Sequence, residues 1–353
     1  MTTNSNVQVL RGLSATSVLM AHAAGMLIYG GVPLALPNVE WGAFGVDVFF
    51  VISGFVIAHA SVPLFGRAGS VLPFLRRRVV RVVPLYWLAC VVFALVSAPY
   101  GEPSGELRRE AWETLRSMLF IPGADGSTAL LPTGWTLFYE MAFYLCFACA
   151  LPFRRRPALL GLGLALTGLG IAGSAGLLPE RVSCVASLQV LEFVAGLALA
   201  EAHLAGWRVP RRLGLAIACA TLAYVIARAP HMDGWTAWRG LVWGIPATLI
   251  VGSLALASGG PRSAVRDALE RLGDASYAIY LAHFPLFWGI GLAFGWWARS
   301  GPHAAQAYAV ALVVVGLPAC LAVHRIVEVP LTRWLRGLSA PSTAAVEALP
   351  AGV

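Results

Sequence analysis

Charge is what this sequence has least of. Only 12% of its 353 residues are Asp, Glu, Lys or Arg, about half the roughly 25% of an ordinary soluble domain. Lysine is absent altogether, and all 25 basic residues are arginine. Lysine and arginine serve alike on a solvated face, so this absence points to coding bias rather than to chemistry. A disulfide framework is missing too. Of the six cysteines, all but Cys184 lie inside apolar runs. The CxxC pair Cys146 and Cys149 falls in a helical pattern with no clustered His or Asp, which leaves it as apolar filler. These shortages exclude a disordered chain, a nucleic-acid-binding domain of ordinary type and a cytosolic enzyme.

What is present is apolar surface. Hydrophobic residues make up 58% of the chain, and ten runs are long enough to cross a bilayer at about 20 residues each. They lie near 9–29, 41–60, 79–98, 134–153, 158–178, 185–205, 213–229, 237–257, 275–298 and 304–326. The first lacks a basic leader and a small-residue cleavage site, so it is expected to stay rather than be removed as a signal. The fold class expected is an all-α polytopic membrane protein of about ten transmembrane helices. One membrane domain spans 1–336, and the Ala-, Pro-, Ser- and Thr-rich tail 337–353 is expected to be disordered. No internal repeat is visible.

Arginine placement sets the expected orientation. Connections after even-numbered runs, with both ends, carry 18 arginines; the opposite side carries seven. Both termini are therefore expected in the cytoplasm. The largest outer connection, about 99–133, contains Ser104–Leu119, whose Leu107, Trp112, Leu115, Met118 and Leu119 among charges suit a helix lying at the outer interface.

A charged side chain near the bilayer centre costs about 2.5–3.5 kcal/mol on insertion scales, so each is a functional candidate. Arg11 and His22 are eleven residues apart, close to three helical turns, and share one face about 16 Å apart along the axis. Arg11 has the plainer reading of a snorkelling anchor, and His22 that of a packed core histidine. A neutral imidazole also serves as a general base. Arg78 and Arg81, three apart and so on one side of a helix, present planar forks suited to phosphate. A positive-inside stop signal explains Arg76 and Arg77 well but Arg81 poorly. Asp47 and Glu140 are acids near the outer ends of the second and fourth runs. Either suits orienting His22, pairing with a buried arginine, or sitting in a wet cavity. His283 precedes Pro285, where a structural role is expected. Glu328 ends the tenth run, where a cytoplasmic ion pair is the simpler account.

Arg11 with His22, Phe49-Phe-Val-Ile-Ser-Gly-Phe55, Arg78-x-x-Arg81, Trp135-Thr-Leu-x-Tyr-Glu140, Tyr280-Leu-x-His283-x-Pro285 and Glu328-x-Pro330 occur in a telling order. Over about residues 7–336 the chain resembles membrane-bound acyltransferase family three. Phe44-Gly-Val-Asp-Val-Phe-Phe and Trp135-Thr-Leu-Phe-Tyr-Glu-Met resemble its branch of bacterial exopolysaccharide O-acetyltransferases called ExoZ-type. The resemblance implies an enzyme moving an acyl group, by default acetyl from acetyl-CoA, onto a hydroxyl of an envelope or exported polysaccharide. It implies a catalytic role for His22 and donor-binding roles for Arg11, Arg78 and Arg81. Some members acylate macrolides, so a small hydrophobic acceptor stays open.

On this reading the CoA phosphates meet the inner arginines and the pantetheine arm reaches His22, which takes the acceptor's proton. Asp47 or Glu140 fixes its tautomer, with Trp135, Tyr139, His283 and Glu328 in support. Transfer is direct or passes through an acyl-histidine. Acetyl-CoA is a substrate, and no metal is expected. Expected partners are acyl-CoA, a glycan or lipid-linked saccharide acceptor and the lipid bilayer, with no nucleic acid; a second copy or polysaccharide assembly proteins stay open. The expected location is the bacterial cytoplasmic (inner) membrane, multi-pass. The rival class is a glycan or lipid transporter, which also buries charges on proline-interrupted helices. Single cysteines at Gly126 and Arg155, in a background without reactive native thiols, are predicted to label from opposite sides with an impermeant reagent. Labelling of both from one side refutes the orientation.

Overall fold

The structure, a computed structural model, describes residues 4–29, 40–97, 107–123, 126, 129–228 and 238–337. Among them it is helical throughout, without strands; one isolated bridge pairs Val209 with Ala257. In chain order the helices are α1 (Ser5–Tyr29), α2 (Gly45–Ala60), α3 (Val71–Ser97), α4 (Leu107–Met118), α5 (Trp135–Ala150), α6 (Arg155–Ser174), the short α7 (Glu180–Ser183), α8 (Val190–Leu204), α9 (Arg211–Arg228), the short α10 (Arg239–Val242), α11 (Gly244–Ala255), α12 (Ala264–Asp274), α13 (Ser276–Ala298), α14 (Pro302–Val323) and α15 (Val329–Gly337). A helix lies at each of the ten expected positions, with α10 and α11 sharing the eighth. The tail 338–353 lies outside the described residues.

Among the described residues, five runs are long and apolar enough to cross a membrane: Trp41–Ala60, Val71–Ser97, Arg155–Ser174, Ser276–Ala298 and His303–Gly337. Two of the other helices are short. α5 and α8 have 16 and 15 residues, or about 24 and 22 Å of helix, against a hydrocarbon core of about 30 Å. α1 has 25 residues and carries the polar Asn6, Gln8, Arg11, Thr16 and His22. The fold surrounds it. α1 packs against α2, α11, α12, α13 and α14, and Leu19 and Ala15 at its centre are fully buried.

The start of α1 is tied down by polar contacts. Asn4 Oδ1 accepts from the backbone N–H groups of Asn6 and Val7 at 3.1 and 3.3 Å, filling the N-cap role. The Asn6 amide donates to Leu254 O at 2.9 Å. α12 is amphipathic, capped by Ser263, which accepts from Arg266 N at 3.2 Å. Its Arg266 donates back to Ser5 and Asn6 of α1.

α4 occupies the expected outer connection. Residues 104–106 lie outside the description, and the helix begins at Leu107. It is anchored on α3: Tyr86 bonds Ser117 at 2.7 Å and Trp87 Nε1 donates to Met118 O at 2.8 Å. Trp112, Leu115 and Leu119 remain exposed, as suits an interfacial helix. All six cysteines are free.

Small residues allow the tightest crossing. Where α2 meets α8, a Cβ on Gly54 would drive into Phe193 O, and one on Gly196 would sit 2.7 Å from Phe55 N. Helices in lipid associate through such close backbone approach. Gly196→Leu is predicted to force α2 and α8 apart at a cost of about 1–3 kcal/mol or more, read as a lower melting temperature in detergent. The control Gly161→Leu, at an open position, should change it little.

Candidate functional site

Two cavities adjoin inside the bundle. One, of about 340 Å³, is lined by Arg11, Arg78, Arg81, Glu140 and Tyr144, with Arg336 of α15. The other, of about 670 Å³, is lined by His22, Trp135, Arg239, Phe284 and Trp288 among mostly apolar neighbours. Val46 and Tyr280 line both, so these two side chains form the partition. α1 serves both cavities: Arg11 faces the first and His22 the second, about 16 Å along one continuous helix. The Tyr280 hydroxyl is held by Thr133 O at 3.0 Å and Thr136 Oγ1 at 2.9 Å, which fixes the partition in place.

The cationic cavity is unusual in leaving its charges unmatched. Arg11 donates to Ser276 Oγ at 2.9 Å and to Gln8 Oε1 at 3.3 Å. Arg78 lies 5.5 Å from the Phe74 ring centre and 5.9 Å from that of Tyr144, and its Nε has no hydrogen-bond partner. Among the described residues, none of Arg11, Arg78, Arg81 and Arg336 makes an ion pair. The acid in this lining, Glu140, accepts from Tyr144 and, at 3.3 Å, from Ser53 Oγ. Such a cavity suits an anion with several phosphate oxygens.

The histidine site rests on a pair. His22 Nδ1 is 2.8 Å from His283 Nε2, and His283 Nδ1 is 2.7 Å from Ile279 O. His283 is completely buried. The chain of donors follows from the last contact, because a carbonyl only accepts. His283 Nδ1 therefore carries the proton, its Nε2 accepts, and His22 Nδ1 donates. That leaves His22 Nε2 with its lone pair available, the state a general base requires. α13 carries His283 through the uninterrupted helix Ser276–Ala298 despite Pro285.

The acids expected to orient His22 are placed elsewhere. Asp47 Oδ2 accepts from Arg239 Nη2 at 2.7 Å and Asp47 Oδ1 from Nε at 3.1 Å, a bidentate pair in which both side chains are buried. The Arg239 guanidinium is 5.8 Å from the Trp135 ring centre and 5.1 Å from that of Trp243. Asp47 thus holds an arginine that lines the His22 cavity, whereas Glu140 belongs to the other cavity. Tyr139 lines neither: its hydroxyl bonds Ser187 at 2.8 Å. Glu328 lies outside both linings and pairs with His324 at 2.7 Å, within a π-helical turn over His324–Glu328. The described residues contain no group of three His, Cys, Asp or Glu suited to a metal.

Arg239 is the residue that sequence reasoning missed. Counted among the outer arginines by orientation, it is only 4% exposed. The signal was available in Trp238-Arg239-Gly240, which falls inside the eighth apolar run, at the same membrane end as the unpaired acid Asp47. The contact of His283 with His22 was not foreseen either, because a contact between the first and ninth runs is a tertiary fact.

Residues 4–325 match the sequence model of the acyltransferase 3 family, described as an acyltransferase domain. The chain belongs to that family. It is an acyltransferase and a membrane protein. It is 34% identical over 306 residues to the exopolysaccharide production protein ExoZ of Rhizobium meliloti (strain 1021), covering 83% of this chain and 90% of that protein. It is 28% identical over 360 residues to the acyltransferase MdmB of Streptomyces mycarofaciens, covering 92% and 91%. A shorter stretch of 160 residues is 29% identical to protein 2 in the picA locus of Rhizobium radiobacter. No solved structure matches the chain. Family membership sets aside the transporter reading.

The Asp47–Arg239 pair yields a stability prediction. Asp47→Ala leaves a buried guanidinium unpaired and should cost about 3–5 kcal/mol. The double variant Asp47→Asn with Arg239→Gln should recover much of that loss in thermal unfolding. If the double variant is as unstable as the single, the unpaired charge is not the cause.

Proposed function

We propose that this acyltransferase moves an acyl group, most simply acetyl, from cytoplasmic acyl-CoA to a hydroxyl of an envelope or exported polysaccharide, with His22 as general base. The observation that carries this reading is the adjacency of the two cavities. One offers unmatched guanidinium groups to a polyanion, the other a neutral imidazole in an aromatic pocket, and Val46 and Tyr280 line both. An extended donor anchored by its phosphates near Arg11, Arg78 and Arg81 directs its thioester past Tyr280 toward His22. Part of this proposal is a ten-span, multi-pass topology in the inner membrane with cytoplasmic termini, on which the cationic cavity faces the side where CoA is found.

In the reaction, the acceptor hydroxyl gives its proton to His22 Nε2 as its oxygen bonds to the thioester carbonyl carbon. His283 and the Ile279 carbonyl hold the imidazole in the tautomer that receives this proton. Arg239, steadied by Asp47 and by Trp135 and Trp243, provides positive charge in the same cavity for the oxyanion that develops. When the tetrahedral intermediate collapses, the C–S bond breaks and the thiolate leaves as CoA–SH with the proton from His22. Similarity to ExoZ, an exopolysaccharide production protein, supports a saccharide acceptor. A small hydrophobic acceptor such as a macrolide is the second reading, favoured by the apolar lining around His22.

His22→Ala is predicted to keep acetyl-CoA-dependent protection of the purified protein against heat, since the phosphate contacts lie about three helical turns away. O-acetyl content of exported polysaccharide in cells carrying it should fall about 100-fold or more. His283→Ala should lose nearly as much, because His22 then lacks the acceptor for its Nδ1 proton. Arg81→Lys should weaken acetyl-CoA binding and Arg81→Ala weaken it further. Wild-type acetylation in His22→Ala refutes the general-base assignment; unchanged affinity in Arg81→Ala refutes the donor site.

A further inference from the structure

The three arginines nearest in sequence to the family motifs are joined in the cationic cavity by a fourth that those motifs do not include. Arg336 lies on α15, beyond the 4–325 stretch that matches the family. It reaches the cavity at the end of the helical run His303–Gly337, which contains a π-helical turn. The π-helical turn His324–Glu328, closed by the 2.7 Å contact between the two residues that bound it, interrupts the α-helical register. α15 then packs against α3, the helix that carries Arg78 and Arg81. A π-helical insertion rotates the helix beyond it relative to the helix before it, and such turns concentrate at functional sites.

The four cations are not equivalent in depth. Arg78 keeps a fully buried Nε without a hydrogen-bond partner, and Arg11 and Arg81 are partly buried, whereas Arg336 is exposed. Arg336 thus stands at the mouth and the other three inside. Coenzyme A has its anionic groups in a matching order. Its diphosphate follows the pantetheine arm, and its ribose 3′-phosphate lies farther from the sulfur. A thioester threaded toward His22 brings the diphosphate to the inner arginines and leaves the 3′-phosphate at the mouth. We infer that α15 is a cap over the donor cavity and that Arg336 recognises the ribose 3′-phosphate, which makes the enzyme selective for CoA over its 3′-dephospho form. The inference rests on the acyl-CoA reading above.

The test uses the full-length protein in detergent and needs no acceptor. Affinity for CoA and for 3′-dephospho-CoA is measured by calorimetric titration for wild type, Arg336→Ala, Arg336→Gln, Arg336→Lys and, as a control on the same helix, Arg333→Ala. Wild type should bind CoA about tenfold more tightly than 3′-dephospho-CoA, the scale of one charge-assisted contact. Arg336→Ala and Arg336→Gln should bind both with the affinity wild type shows for the dephospho form. Arg336→Lys should keep part of the discrimination, and Arg333→Ala all of it. Retention of 3′-dephospho-CoA binding shows each variant to be folded. Equal wild-type affinity for the two ligands overturns the role of Arg336 while leaving the donor site standing, as does wild-type discrimination in Arg336→Ala. Failure of wild type to bind either ligand overturns the acyl-CoA reading itself.

Discussion

A polar side chain placed among apolar helices has to find its partner within the protein, since lipid supplies none. The arrangement of this acyltransferase follows from that constraint. The helix richest in such groups, α1, is surrounded by five others. Its Arg11 is met by Ser276, its His22 by His283, and its first turn by the backbone carbonyls of Leu254 and Ala257. Asp47 of α2 and Arg239 of α10, distant in sequence, form a bidentate buried pair, and Arg239 also donates to Ala43 O. Each of these pairings also fixes two helices relative to one another, so satisfying the buried groups and positioning the site are the same act.

Against that background the exceptions carry information. Arg78 is held near the rings of Phe74 and Tyr144, and neither it nor Arg81 is in an ion pair with any of the described residues. A buried or half-buried guanidinium left without a carboxylate is costly, and a bound polyanion removes the cost. In the histidine cavity both N–H groups of the pair have acceptors: His283 Nδ1 donates to the Ile279 carbonyl and His22 Nδ1 to His283 Nε2. One cavity thus gathers guanidinium groups and the other holds an imidazole pair, and Val46 and Tyr280 line both.

The close crossing of α2 and α8 serves the same end. Gly54 and Gly196 bring the two backbones into contact, which sets the position of Phe50 and Phe193 with their stacked rings 4.8 Å apart. Phe50 lines the cationic cavity, and Asp47 lies one turn before it on α2.

Much was legible in the sequence because it depends on composition and local spacing. Scarce charge and recurrent apolar runs are enough for a helical membrane protein, since a membrane-spanning backbone must satisfy its own hydrogen bonds. Arg11 and His22 share a face by helical periodicity alone, and Arg78 and Arg81 do likewise. The partner of each polar group is a different kind of fact. Asp47 and Glu140 were equally good candidates to orient His22, because sequence spacing places acids at a level in the membrane but not beside a particular neighbour. Tertiary packing decided between them and chose neither: it sent Asp47 to Arg239, Glu140 to Tyr144, and brought His283 across 261 residues of chain to His22. A hydrogen bond is formed over about 3 Å, and only the packing of whole helices fixes positions that finely between segments so far apart in sequence.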